Sequence, residues 1–181
     1  MRKKIINNFI AGIGLIFYLS SSVIANEIPL CKINPKLLEV IAVIEQHPKK
    51  GPGYPYIISF NELEDSKQVQ SVLGNELFLD SRTIDCKNSQ LCQKITSYII
   101  REQNIENMDL GAYQINYRSH KIPMDYYFSF EQSYIKACKF LETLVDKHGY
   151  SWETIARYHS STPKYNYAYL QRISTVLGEK K

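Results

Sequence analysis

Glu45 is the residue of this sequence best placed for proton chemistry. It closes the stretch Ile33–Gln46, INPKLLEVIAVIEQ. Leu37, Leu38, Val40, Ile41, Ala42, Val43 and Ile44 leave little polar surface on this run, which predicts a core helix. Asn34 can cap that helix, and Pro35 falls at the first helical position, where a missing N–H is tolerated. The breaker run His47–Gly53 (HPKKGPG) ends it. Glu45 follows Ile41 by four residues and Leu38 by seven, so it continues the apolar ridge. Desolvation on such a ridge raises a carboxyl pKa toward that of a general acid. Glu39, on the same helix but off the ridge, is expected to be a solvated surface charge.

The remaining polar candidates lie further along. Asp109–His120 reads DLGAYQINYRSH. Gln114 and Asn116 are amides in an apolar and aromatic run, and Gly111 suggests a tight bend or a close backbone approach. Asp109 is expected to cap a helix that begins at Leu110. The four histidines, His47, His120, His148 and His159, are scattered, and Cys-x5-Cys is a poor zinc spacing, so neither a metal nor a cofactor is expected. Cys31, Cys86, Cys92 and Cys138 form an even set in an exported chain, which suggests disulfides. Three pairings are open. The short loop DCKNSQLC favours Cys86 with Cys92, which leaves Cys31 with Cys138.

Residues 1–25 are predicted to be a secretory signal. Arg2, Lys3 and Lys4 form the basic region, Phe9–Leu19 the apolar one, and Val23-x-Ala25 a cleavage site. The apolar run is too short for a membrane span, although an uncleaved anchor is the rival reading. Cys31 does not mark a lipoprotein, because IPLC lacks small residues before the cysteine. The signal takes three of the 22 basic residues and none of the 18 acidic ones, leaving 19 against 18. A chain near neutrality carries no electrostatic case for nucleic acid. Residues 26–181 are about 155 residues, the size of one domain with a single core.

The elements that must position Glu45 follow in order. Tyr54–Asn61 (YPYIISFN) and Glu76–Cys86 (ELFLDSRTIDC) read as strands of a small antiparallel hairpin, with a short helix around Ser66–Leu73 in their connection. Ser89 caps a helix to about Gln103, and Asn104–Met108 reads as a turn. Ser129–Gln132 is a capping box opening a helix that Gly149 stops. Ser151 caps the next helix, which carries Trp152, Ile155 and Tyr158. Trp152, Leu141 and Leu144 are assigned to core packing. His159–Pro163 is a polar loop. A terminal helix from Asn166 points Tyr169, Leu170, Ile173 and Leu177 inward. One hairpin among helices makes the fold class α+β and mostly helical.

Three stretches in order then resemble one known family. IAVIEQ, DLGAYQINYRSH and ARYHSSTPKYNYAYLQRI look like the lytic transglycosylases of the soluble-lytic-transglycosylase type, which have a lysozyme-like fold. The first resembles the helix ending in a catalytic Glu, the second the Gly-Leu-Met-Gln-Ile motif. The third resembles the Ala-Tyr-Asn-Ala-Gly motif in its Tyr-His-Ser-x-Thr-Pro form. The resemblance covers roughly Cys31 to Ile173. It implies Glu45 as acid and base, Gln114 facing a sugar cleft and Ile115 helping to form its floor. It implies Tyr158 near Glu45, with the hydroxyl orienting the carboxyl, and Tyr169 lining the cleft. His159 stands where the common form has a sugar-contacting Asn. Tyr113 replaces the motif's Met and would narrow one subsite. Gln46 departs from the family's Ser.

Most glycosidases need two carboxylates. Members of this family are understood to use one, which protonates the glycosidic oxygen and then deprotonates the C6 hydroxyl that attacks C1, leaving a 1,6-anhydro sugar. The implied substrate is peptidoglycan glycan strands, cut at the β-1,4 bond between N-acetylmuramic acid and N-acetylglucosamine. The implied setting is export to the periplasm, as a monomer, with an envelope-spanning secretion or surface machine as partner. A hydrolytic muramidase, with Asp109 the first choice of second carboxylate, is the rival on the same fold. A non-catalytic wall-binding assembly protein is the rival from another class.

Overall fold

The computed structural model describes residues 31–178. The signal assigned to residues 1–25 lies outside the described residues. Helix α1 (Pro35–Ile44) forms as its sequence requires: Pro35 opens it and the Asn34 side chain accepts from the Lys36 N–H at 2.9 Å. Leu38 and Ile41 lose all exposure, and Leu37, Val40 and Ala42 nearly all. α1 packs on α5 (Phe130–His148) and on α7 (Pro163–Leu177). A disulfide from Cys31 to Cys138 ties the entry of α1 to α5, and a second joins Cys86 to Cys92.

The rest is one small sheet and four further helices. Strands β1 (Ile57–Phe60), β2 (Thr83–Asp85), β3 (Met108–Leu110) and β4 (Ile115–Asn116) form an antiparallel sheet in the order β2-β1-β3-β4. Helix α2 (Leu63–Leu73) lies in the β1–β2 connection, α3 (Ser89–Glu102) follows β2, and α4 (Met124–Tyr127) and α6 (Trp152–Ala156) flank α5. The fold is mostly helical α+β. Among the described residues no helix is long and apolar enough to cross a membrane. Two disulfides are compatible with export.

The structure corrects several expectations. The hairpin is half of a four-stranded sheet. Asp109 caps no helix, because Leu110 ends strand β3 instead of starting a helix. Met108 also belongs to that strand, so the connection after α3 ends at Asn107. Strands of three and two residues give at most one alternation, too little to stand out as strands. Trp152 is 42% exposed and does not pack in the core. It sits at the first position of α6, where its side chain clears the fold, while Thr154, Ile155 and Ala156 are buried. Leu141 is fully buried as expected, and Leu144 half-buried. α7 starts at Pro163, three residues before Asn166. The Asn166 side chain instead donates to the Glu153 and Ser160 carbonyls, both at 3.0 Å, and clasps α6 to α7.

Gly111 sets the β3–β4 turn. Its φ is +76°, and a Cβ there would stand 1.8 Å from the Tyr127 carbonyl oxygen. Backbone on backbone cannot yield at that distance, so the position combines a left-handed conformation with a close approach. Replacing Gly111 with Ala is therefore expected to lower stability by about 2–4 kcal/mol. The loss is read from urea unfolding, and an unchanged midpoint would refute the close approach.

Candidate functional site

Glu45 caps the C-terminus of α1, with its N–H donating to the Ile41 carbonyl at 2.9 Å. The side chain is half-buried at the floor of a cleft of about 920 Å³. Burial pushes its pKa up to about 7, with the Asp109 carboxyl adding to the rise; the Tyr169 hydroxyl and Arg172 oppose it. The carbonyl end of α1 also disfavours a negative charge at this place. A half-buried carboxyl that is neutral for part of its time at pH 7 is suited to giving up a proton and taking one back.

The groups around Glu45 are distributed differently from the family-derived expectation. The hydroxyl of Tyr169, a residue 1% exposed, donates to Glu45 Oε1 at 2.7 Å. The tyrosine of the closing helix thus holds the carboxyl rather than lining the cleft. Tyr158 does line the cleft, but its hydroxyl donates to the Tyr113 carbonyl at 2.8 Å, not to Glu45. His159 stacks on Tyr169, ring centres 5.0 Å apart and planes 4° from parallel, and it too borders the cleft. Burial, then Arg172, holds the His159 pKa below its ordinary value. Tyr113 is buried behind the cleft wall against Phe130 and Tyr134, so it narrows no subsite directly. Its bulk fills core space, because the Gly111 turn points it inward.

Gln114 and Ile115 both border the cleft. Gln114 adopts φ +45° and its amide donates back to the Gly111 carbonyl at 2.8 Å, which fixes the turn and aims the residue. Ile115 is 5% exposed and closes the floor.

Asp109 is the residue whose place the sequence concealed. On β3 Met108 and Leu110 face the core, so the alternation turns Asp109 the other way, into the cleft. It is paired in register with Asn116, whose amide donates to Asp109 Oδ1 at 2.8 Å. The same amide reaches Asn107 Oδ1 at 3.2 Å, and Asn61 also bonds Asn107. Burial raises the Asp109 pKa, against the lowering effect of the Asn116 and Asn61 amides. Lys136, Phe140 and Arg157 complete the opposite wall. Of these, only the period-2 pattern in Met108-Asp109-Leu110 was available in the sequence as a signal.

The cleft can donate a proton, stack aromatic faces and offer several amides and hydroxyls, which suits a neutral polyhydroxylated ligand. Among the described residues, the grouping that comes within metal-ligand distance is Cys31, Cys138 and Glu142. Its two sulfurs are bonded to each other, so neither is a thiolate free to bind an ion.

The raised pKa of Glu45 has a stability consequence with a definite sign. Between the ordinary value of 4.5 and about 7 the folded chain holds a proton that the unfolded chain lacks. Stability from this group is therefore complete below pH 4.5 and lost as pH rises through 7. Glu45→Gln, neutral throughout, is expected to be more stable than the native protein at pH 8.5 by about 1–3 kcal/mol, read from thermal unfolding. At pH 4 the two should coincide. A variant less stable at both pH values would contradict the desolvated carboxyl.

Comparison of the chain with protein-family models, with curated proteins and with solved structures gives no match.

Proposed function

We propose that the protein is an exported lytic transglycosylase that cleaves peptidoglycan glycan strands, with Glu45 as acid and base. The observation that carries this reading is a single one. Glu45 is a half-buried carboxyl with a pKa near 7, held by a buried tyrosine at the floor of an open, amide-rich cleft.

The hydrogen bonding suggests how the proton is handled. Tyr169 donates to Oε1, so in the neutral acid the proton belongs on Oε2, the other oxygen. Oε2 gives that proton to the glycosidic oxygen as the C1–O bond breaks. The N-acetyl group of the muramyl sugar stabilises the positive charge developing at C1. Glu45 is now a carboxylate, and the Tyr169 hydroxyl stabilises it. It then takes the proton of the C6 hydroxyl as that oxygen bonds to C1, and the acid is regenerated. The cycle needs no second carboxylate and consumes no water.

Asp109 favours a second reading. It lies in the same cleft and its charge is felt at Glu45. A carboxylate there could stabilise the cation long enough for water to attack C1, which makes the protein a muramidase. The periplasm and an envelope-spanning machine belong to the proposal through the same resemblance.

Mass spectrometry of products released from purified peptidoglycan separates these readings. The expected outcome is 1,6-anhydromuramyl ends from the native protein and none from Glu45→Gln. Reducing ends that disappear in Asp109→Asn would establish hydrolysis. No product under any condition would favour a binding protein.

The pH profile supplies an independent check. Activity needs the protonated acid, so it is expected to fall as pH rises through about 7. Tyr169→Phe removes a bond that favours the carboxylate, so this limb should move to higher pH, with kcat down about tenfold or more. An unmoved limb would detach Tyr169 from Glu45.

A further inference from the structure

The cleft is polarised. Its lining includes the carboxylates Asp109 on β3 and Glu62 at the start of α2, and, on its helical wall, Lys136 on α5 and Arg157 at the end of α6. Lys136 lies one turn before Phe140 on α5, so the two share a face. Arg157 directly precedes Tyr158, whose ring centre is 5.6 Å from that of Phe140. Both cations line the same cleft as this aromatic pair.

Both side chains are half-buried. Neither enters an ion pair or a side-chain hydrogen bond among the described residues. His120, beside Lys136, is held below its ordinary pKa by burial and then by that lysine, so it adds little charge of its own. A partly desolvated cation without a counter-charge costs free energy, and here two such cations share one wall. Elsewhere in the chain the fully buried Asp85 carboxylate is matched by both Lys50 and Lys87.

We propose that this helical wall binds a carboxylate carried on the 3-O side chain of the muramyl sugar. The inference rests on the glycan-cleaving function argued above. The sugar rings of such a strand are neutral, so its acidic groups belong to this side chain. They are either the free lactyl carboxylate or, when a peptide is attached there, the carboxylates of the peptide. Arg and Lys hydrogen bonds to a carboxylate are charge-assisted and discriminate strongly against a neutral amide of the same shape. The site therefore selects strands by the charge on this side chain, independently of the bond that is cut.

Steady-state kinetics on glycan chains of one length test this, with four substrates. Two carry peptides, either acidic or with every carboxylate amidated. Two are peptide-free, with the lactyl carboxylate either free or amidated. For the occupied source, KM is expected to be about tenfold lower for the acidic member than for its amidated partner, a gap that narrows with added salt. The double variant Lys136→Gln, Arg157→Gln should lose that preference, and Lys136→Arg with Arg157→Lys should keep it, which controls for folding. A preference confined to the peptide-free pair assigns the site to the lactyl group; one confined to the peptide pair assigns it to the peptide. Equal KM within both pairs, or a preference that survives in the double Gln variant, overturns the proposal and leaves the glycan-cleaving function standing. Failure to cleave any of the four overturns that function and this site with it.

Discussion

A carboxyl group placed at the negative end of a helix and stripped of part of its water is held there at a cost. In this fold the Tyr169 hydroxyl meets that cost by donating to Glu45 Oε1. Much of the architecture maintains this bond. α1 must be apolar enough to sink into the core, and α7 must lie against it so that a tyrosine near the middle of α7 reaches the end of α1. His159 covers the Tyr169 ring, and the Asn166 clasp sets the angle at which α7 leaves α6. The hydroxyl favours the charged form and so opposes the rise in pKa that burial imposes on the carboxyl.

The sheet supplies the other wall by a different logic. It is too small to form a core of its own, and its value lies in alternation. Met108, Leu110 and Ile115 go inward, and this turns Asp109 and Asn116 out together, paired across two strands. The Gly111 turn allows the pairing by letting the backbone pass against the Tyr127 carbonyl. Lys136 and Arg157 from the helices line the same cleft as Asp109, so it carries both signs of charge.

Long-period features were legible in the sequence. The apolar run of α1, the Ser129 cap and Gly149 stop of α5, and both cysteine pairs were readable because each depends on local chemistry or on simple counting. The position of Glu45 on its ridge predicted its burial. Features decided by contacts distant in sequence were hidden. Strand β3 pairs with β1, some fifty residues earlier, β4 pairs with β3, and both hold too few residues to announce themselves. Asp109 was assigned to a cap because a lone carboxylate before an apolar run suggests one. The roles of Tyr158 and Tyr169 were exchanged for a related reason: which hydroxyl reaches Glu45 depends on the crossing of α7 over α1, and no spacing within either helix encodes that.

The length of chain between the paired elements also governs how the molecule comes into being. Glu45 and Tyr169 are 124 residues apart, and Cys31 and Cys138 are 107 apart. Among the described residues α1 is thus made before the helices α5 and α7 on which it packs. Until α7 arrives, α1 has an uncovered face, which favours slow folding and attachment to whatever holds unfolded chains. Until then the carboxyl at its end lacks the Tyr169 hydrogen bond. A chain interrupted before the last helix would therefore carry every residue of the sheet and still lack the hydroxyl that holds Glu45. Completion of the polypeptide, more than the presence of any one side chain, sets the moment at which the cleft acquires its chemistry.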